Sequence, residues 1–341
     1  MKPLFHPQLV NDPFGDPALY IDYLFEKRAL MFDLGNIEAL ATRKVLRVSH
    51  IFVSHAHMDH FIGFDRVLRL CLGREKALFI YGPPGFVAQV ENKLGGYTWN
   101  LVHNYETDFT VIAVEIHPGD KSISARFRCR TAFKREDLTE STISDGILID
   151  EEGFRIRTTP LDHKTICLAF VLEEKQHINV WKNRLDEMGL PTGPWLRELK
   201  KTILRGEPDS TPYRVWWREN QMTREQYFPL GELKEKILHI VPGQKIGYVV
   251  DTVYHAENIR RIIELVAEAD ILFIETAFTA EEASRAAETY HLTTYQAGEI
   301  ARRAAVKRIV PFHFSVRYSG MAPQLYREVE EAFSGGSGME R

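Results

Sequence analysis

Three histidines and an aspartate fall within six residues at His55-Ala56-His57-Met58-Asp59-His60. A β-rich run at 48–54 precedes them, and apolar residues at helical spacing (Phe61, Phe64, Val67, Leu68, Leu70) follow, so the cluster sits on a strand-to-helix turn. Four ligands this close together cannot all reach one tetrahedral ion without crowding. They can feed two neighbouring ions, with two imidazoles turned one way and the carboxylate and last imidazole the other. Imidazole and carboxylate donors without thiolate suit Zn2+, with Mn2+ or iron as alternatives. A chance cluster of surface histidines is the competing explanation, and 13 histidines in 341 residues make it a poor one.

The rest of the composition narrows the class. Lys and Arg number 43 against 47 Asp and Glu, a net charge of −4, which excludes a uniformly polycationic nucleic-acid coat but leaves room for a local basic patch. Apolar residues at 44% and charged residues at 26% describe an ordinary soluble protein of one large domain or two. Cys71, Cys129 and Cys167 are odd in number, far apart and not in CxxC spacing, so they form neither a disulfide framework nor a zinc finger. That usage suits a reducing cytoplasm. No apolar run approaches the ~20 residues of a membrane span, and residues 1–7 lack the apolar stretch of a signal peptide.

Short strands and turns fill the first third. Runs at 20–25 and 29–33 flank Glu26-Lys27 as a hairpin, and 78–85 reads as a strand stopped by Gly82-Pro83-Pro84-Gly85. Strands and helices then alternate: 247–250, a helix over 256–269 with Ile259, Ile262, Ile263, Val266 and Ala267 on one face, 271–274, a helix over 295–305, and 308–312. Residues 175–236 differ from their surroundings. They hold Trp181, Trp195, Trp216 and Trp217 among several prolines, and 182–205 carries six basic residues against three acidic ones. Basic residues interleaved with aromatics can follow a phosphate backbone and stack on bases, which makes Arg197, Lys200, Lys201 and Trp195 candidate substrate contacts. A helical hairpin or dimer contact with internally packed tryptophans is the alternative. Residues 335–341 read as a flexible Gly/Ser tail.

The pattern His55-x-His57-x-Asp59-His60 resembles the signature of the metallo-β-lactamase superfamily of dinuclear metallohydrolases. Leu161-Asp162-His163, Gly247-Tyr248-Val249-Val250-Asp251-Thr252 and Val310-Pro311-Phe312-His313 stand where that superfamily draws its remote ligands. Four stretches are similar to its ribonuclease Z branch of tRNA 3′-processing endonucleases. They are His291-Leu292-Thr293-Thr294, His313-Phe314-Ser315-Val316-Arg317-Tyr318, the Gly193-Pro194 segment within 185–196, and 241–248. The likeness runs from about residue 48 to 318. It departs at the N-terminal loop, here Asn11-Asp12-Pro13-Phe14-Gly15-Asp16-Pro17, at Ile274-Glu275-Thr276-Ala277, which keeps a motif's glutamate and loses its histidine, and over 101–150.

The resemblance implies an α/β fold: a four-layer αββα metallo-β-lactamase sandwich over 1–334, with about 175–236 as a protruding arm that in the family grips the tRNA elbow. It implies two divalent ions, most simply zinc. His55, His57 and His163 would hold the first, and Asp59, His60 and His313 the second, with Asp251 bridging. Water between the ions would be acidified and oriented by Asp59, and His291 would protonate the departing ribose 3′-oxygen, unless it is merely a histidine at a helix start. Glu275 would hydrogen-bond a ligand or His291, and Arg317 would neutralise a phosphate or serve as an ion-pair partner. Asp33 and Asp162 are supporting candidates at most. The implied substrate is a tRNA precursor and the implied assembly a homodimer. Two rivals stand beside this reading: a hydrolase of the same fold acting on a small phosphodiester or a lactone, and a catalytically silent RNA-binding relative. His50, His103, His117, His177, His239 and His255 read as surface or packing residues.

Overall fold

The computed structural model describes residues 4–24 and 26–335; Phe25, at the end of the first expected strand, and the tail beyond Gly335 lie outside the described residues. Contacts divide the chain into two compact units. One comprises Ile149–Arg155 and Glu173–Gln244, and the other holds the remaining described residues.

In the larger unit, a first sheet runs in spatial order through Phe5–Leu9, Leu19–Tyr23, Arg28–Phe32, Val48–Phe52, Ala77–Gly82, Thr110–His117, Lys121–Arg128 and Arg135–Asp137, with Ser141–Thr142 also on Lys121–Arg128. Its middle strands are parallel and its outer ones antiparallel. A second sheet orders Ile147–Asp150, Phe154–Asp162, Ile166–Glu174, Lys245–Val249, Ile271–Glu275 and Ile309–Phe312, the last three parallel.

Alternation along each strand builds the layers. Ala29 and Met31 face the apolar core beneath the helices Phe64–Cys71 and Phe86–Gly95. Phe32, on the other face, meets Phe170 and Tyr248 of the second sheet at ring-centroid distances of 5.5 and 5.6 Å. On the second sheet, Val171, Val249, Leu272 and Ile274 pack outward against Ala256–Val266 and Thr294–Arg303. The order is helices, sheet, sheet, helices.

Local signals explain the helix bounds. Ile259, Ile262, Leu265 and Val266 form one buried stripe, and Thr293 with Gln296 closes a capping box on Thr294–Arg303. The helix expected over 256–269 ends at Val266 because Glu268 takes a left-handed conformation (φ 58°) and donates its N–H to the Ala304 carbonyl. The helix expected after the histidine cluster is broken into Met58–Phe61 and Phe64–Cys71. Gly63 lies between them, its N–H donating to the Leu34 carbonyl at 2.8 Å, and any Cβ there would collide with the Gly35 carbonyl.

The smaller unit holds the helices Lys182–Glu187, Trp195–Leu204 and Leu230–Ile237 and two two-stranded sheets, Gln176–Val180 with Leu238–Pro242 and Pro212–Glu219 with Met222–Pro229. It has its own core, in which Leu185, Trp195, Leu199, Val215, Leu233 and Ile237 are fully buried. This corrects the base-stacking role expected for Trp195. Its ring fills the centre of that core and its Nε1–H donates to the Pro191 carbonyl at 3.1 Å, leaving no face for a base. Trp216 and Trp217 pack against the same core from the hairpin.

Candidate metal centre

The residues of the cluster stand at the C-terminal ends of strands, where side chains leave the sheets without a further pairing partner. His55 follows Val48–Phe52, and His57 caps the single helical turn Met58–Phe61 that carries Asp59 and His60. His163 follows Phe154–Asp162, Asp251 follows Lys245–Val249, and His313 follows Ile309–Phe312. Asp33, Asp251 and His313 have left-handed backbones (φ 55°, 45° and 59°). Such conformations cost on the order of 1–3 kcal/mol and persist only where the surroundings hold them. Gly35 assists, because a Cβ there would strike the Asp59 carbonyl.

Potential ligand atoms converge in three overlapping groups: His55, His57, His163 and Asp251; Asp59, His60 and His313; and Asp251, Glu275, His291 and His313, with the atoms of each group within 4.8 Å of one another. Asp251 Oδ2 lies 3.5, 3.4 and 3.4 Å from Nε2 of His55, His60 and His163. Asp59 Oδ2 is 3.5 Å from His60 Nε2 and 3.4 Å from His313 Nε2. These are long for hydrogen bonds but match two ligands of one tetrahedral ion, which stand about 3.3 Å apart when each is ~2.0–2.1 Å from the metal. His55 Nε2 and His60 Nε2 are buried without a hydrogen-bond partner, while Asp251 Oδ1 and His313 Nδ1 face each other at 3.0 Å. Buried polar atoms rarely stay unpaired, and two imidazole nitrogens left so beside Asp251 fit divalent cations well.

The opposite edges of the imidazoles are occupied. His60 Nδ1–H donates to Asp33 Oδ2 at 2.8 Å, and the same oxygen accepts the Tyr248 hydroxyl at 2.8 Å and the Ser54 hydroxyl at 2.9 Å. His163 Nδ1–H donates to the Tyr290 carbonyl at 2.7 Å. His55 Nδ1 lies 3.1 Å from Ser54 Oγ and 3.8 Å from Cys167 Sγ. Each bond holds its ring with Nε2 directed inward, the orientation a metal needs.

Electrostatics follow from this crowding. Burial, with His60 beside it, pushes His55 down to about 2, Asp251 opposing. Burial alone would also lower His60 and His313, but Asp251 and Asp33 hold His60 well above its ordinary range, and Asp251 and Asp59 raise His313 to about 10. Burial would raise both carboxyls, yet His313 and His60 bring Asp59 to about 2 and hold Asp251 well below the usual carboxylate range. Protons on His60 and His313 thus balance the carboxylates, and cations entering would displace those protons.

Beside the cluster, His291 Nδ1 is 2.8 Å from Glu275 Oε2 and 3.9 Å from Asp251 Oδ1. Burial opposes its protonation and Glu275 more than offsets this, so its pKa is raised. Arg317 sits apart from the ligands, paired with Glu282 at 3.2 Å and lying over Phe278. Asp162 accepts the Lys164 N–H and meets His255 at 3.5 Å rather than any ligand. In the smaller unit Arg197 is exposed, Lys201 stands 3.8 Å from Glu198, and Lys200 is half-buried. Sequence reasoning missed Ser54, Tyr248, Thr252, Asn258 and the Tyr290 carbonyl. Polar side chains at strand ends that otherwise read as core were the available signal for the first two.

No family model matches the chain. It is 28% identical over 316 residues to the ribonuclease Z of Deinococcus radiodurans, covering 91% of this chain and 90% of that protein. It is 26% identical over 317 residues to the ribonuclease Z of Haloferax volcanii, covering 90% and 81%. Among solved structures, the metallo-β-lactamase fold protein YhfI of Bacillus subtilis superposes with a TM-score of 0.53 at 14% identity, over 96% of this chain and 94% of that one. The short form of human tRNase Z does so with a TM-score of 0.51 at 17% identity, over 92% of each. The chain thus has the metallo-β-lactamase fold, and proteins named ribonuclease Z are its sequence relatives over about nine-tenths of its length.

Proposed function

We propose that this protein is a metal-dependent phosphodiesterase that cleaves 3′ trailers from tRNA precursors, a reading supported by its likeness to proteins named ribonuclease Z and tRNase Z. The observation that carries the reading is the set of unpaired buried ligand atoms arranged around Asp251 with an accessible His291 alongside. His55, His57, His163 and Asp251 would hold one ion, and Asp59, His60, His313 and Asp251 the other. The imidazole-rich donor set suits zinc, with manganese or iron as alternatives. When bound, such ions acidify water towards a pKa of about 7 and neutralise charge on a phosphodiester.

The chain's own groups supply the rest. Asp59, 43% exposed at its side chain, presents a carboxylate that can accept a hydrogen bond from, and so orient, an attacking water. Glu275 fixes the His291 ring through Nδ1, which leaves Nε2 to carry a proton to the departing 3′-oxygen. Alkoxides leave poorly unless protonated, so this is the step in which His291 matters most. Arg317 acts on Glu282 in this reading, and no phosphate contact is assigned to it.

A second reading, hydrolysis of a different phosphoester, is favoured by the N-terminal loop. It carries Asp12 and Asp16 and no basic residue, and it packs beside ligand His313: the Phe314 N–H donates to the Pro13 carbonyl at 2.7 Å and the Phe14 and Phe314 rings meet edge-on. Cytoplasmic location agrees with three buried free cysteines. Homodimerisation is part of the proposal by resemblance, with exposed Ile62, Tyr97 and Leu101 as apolar surface available to it.

The test is cleavage of a 3′-extended precursor tRNA by zinc-loaded protein, with bis(p-nitrophenyl) phosphate as a small substrate. Cutting at the 3′ end of the acceptor stem supports the tRNA reading. Hydrolysis of the small diester alone transfers support to the second.

A further inference from the structure

One buried amide next to the metal centre has no part in the reaction outlined above. Asn258 lies on the inward face of the helix Ala256–Val266 and is 1% exposed. Its Oδ1 accepts the Asp162 N–H at 3.0 Å. Its Nδ2 donates to the Asp162 carbonyl at 3.0 Å, the Thr252 hydroxyl at 2.7 Å and the Val253 carbonyl at 2.9 Å. Every side-chain polar atom is used, and none of these bonds is made to its own helix.

The partners are the neighbours of two ligands. Asp162 immediately precedes His163, and Thr252 immediately follows Asp251. Asp251 Oδ2 and His163 Nε2 face each other at 3.4 Å. The loops that deliver them are also joined directly by the Val253 N–H, which donates to the Asp162 carbonyl at 3.1 Å. The Thr252 N–H in turn donates to Glu275 Oε1 at 2.7 Å, so the same chain of bonds reaches the partner of His291.

We propose that Asn258 is a positioning residue for the first ion: its amide sets the spacing of the His163 and Asp251 loops and thereby the affinity of the site they share with His55 and His57. The inference rests on reading His163 and Asp251 as ligands of one ion. The chemistry demands an amide. One N–H and three acceptors face it, which Asn meets with its carbonyl oxygen and two N–H donors, one of them shared between two acceptors. Aspartate would set a carboxylate against two carbonyls, and an apolar residue would strip a partner from the Asp162 N–H, the Thr252 hydroxyl and the Val253 carbonyl, while the Asp162 carbonyl would keep only the Val253 N–H.

The experiment is zinc titration of the full chain against a competing chelator, for the wild type and for Asn258→Ala, Asn258→Asp, Thr252→Val and Thr252→Ser. The optical spectrum of the Co2+-substituted proteins and the melting temperatures of the metal-free proteins are recorded alongside. Asn258→Ala is expected to weaken the first ion about 10- to 100-fold, the usual cost of losing an outer partner of a metal site, while the second ion changes less. Thr252→Val should weaken the same ion and be non-additive with Asn258→Ala, because the two share one hydrogen bond. Thr252→Ser should bind like wild type, and the Co2+ spectrum should change only in the weakened variants.

A lower melting temperature with both zinc affinities and the Co2+ spectrum unchanged would overturn the proposal, since Asn258 would then only support the fold. Should Asn258→Ala fail to fold, the Thr252 pair decides, and equal affinity in Thr252→Val and Thr252→Ser rejects the role. A wild type that binds no ion overturns the metal-centre reading together with this one. Two ions held equally by the wild type and all variants overturn this one alone.

Discussion

Glu275 is shared between His291 and the bridging loop. Its Oε2 takes the His291 Nδ1–H at 2.8 Å and its Oε1 takes the Thr252 N–H at 2.7 Å. The residue is fully buried, so its carboxylate is fixed at both oxygens and the His291 ring is locked relative to Asp251. Glu275→Gln keeps an acceptor for one partner and removes the charge that raises the His291 pKa. A general acid whose pKa falls is depleted at lower pH. The alkaline limb of the kcat/KM profile is therefore expected to move to lower pH, with the larger loss, about tenfold or more, on the alkaline side. A pH–rate series on a 3′-extended precursor tRNA, whose departing ribose oxygen is an alkoxide, checks this, and an unmoved limb counts against His291 as the acid.

Replacing His291 itself separates chemistry from metal binding. His291→Ala is expected to lose about 10²–10⁴ in kcat, the range for general acid catalysis, while zinc content by atomic emission stays at the wild-type value. Loss of metal along with activity would instead make His291 a ligand.

Asp251 touches ligands of both groups, with Nε2 of His55, His60 and His163 within 3.5 Å and His313 Nδ1 at 3.0 Å. Asp251→Ala should therefore strip both ions and abolish activity. Ions bound only by the folded state stabilise it by about 4 kcal/mol when free metal exceeds Kd a thousandfold. Chelation should lower the wild-type melting temperature and leave that of Asp251→Ala unmoved, which a thermal scan with and without chelator reads directly.

His50 gives a pH dependence remote from the ligands. Its ring stacks on Phe79 with centroids 4.9 Å apart, and burial, with Arg28 and Lys76 nearby, lowers its pKa from 6.5 to about 3. Between those values the unfolded chain binds a proton that the folded protein refuses, so stability rises with pH across the window and is lost as pH falls from 6.5 towards 3. His50→Phe should reduce the slope of unfolding free energy against pH there by up to about 1.4 kcal/mol per pH unit. Urea melts at several pH values measure it, and an unchanged slope refutes the assignment.

In the smaller unit, packing and surface roles predict different outcomes. Trp195→Ala should destabilise that unit by about 3–5 kcal/mol, as for other buried aromatic truncations. Arg197→Ala, on the exposed side, should change stability by less than about 0.5 kcal/mol and is the variant in which weakened RNA binding would report a surface contact. Limited proteolysis and filter binding distinguish the two.

The cluster at 55–60 was legible in the sequence because its candidate ligands are local: one strand end and one helical turn deliver all four. The remote candidate ligands were found through the resemblance of their motifs; Asp251 and His313 also follow apolar runs, whereas His163 follows the mixed strand Phe154–Asp162. Trp195 was misread because burial belongs to the assembled unit; the same interleaving of basic and aromatic residues describes an amphipathic helix such as Trp195–Leu204, with Trp195, Leu199 and Ile203 turned inward. Asn258 was invisible for a related reason. Its partner Asp162 lies 96 residues away, and nothing in the neighbouring helical pattern distinguishes an inward asparagine from a misplaced polar residue. The break at Gly63 likewise reflects the approach of Leu34 and Gly35, which only the folded chain brings there.

The hydroxyl of Tyr248 reaches Asp33 from the second sheet, and Asp33 holds His60 from the first. A hydrogen bond weakens steeply once its angle falls below about 120°, whereas apolar contact has no direction, so slippage of one sheet over the other would be felt at the His60 ring before it was felt by the apolar layer between them. Metal affinity in this protein should act as a strain gauge for the sandwich. Mild denaturant, pressure or a destabilising substitution far from the centre would be registered first as release of an ion, ahead of any loss of secondary structure.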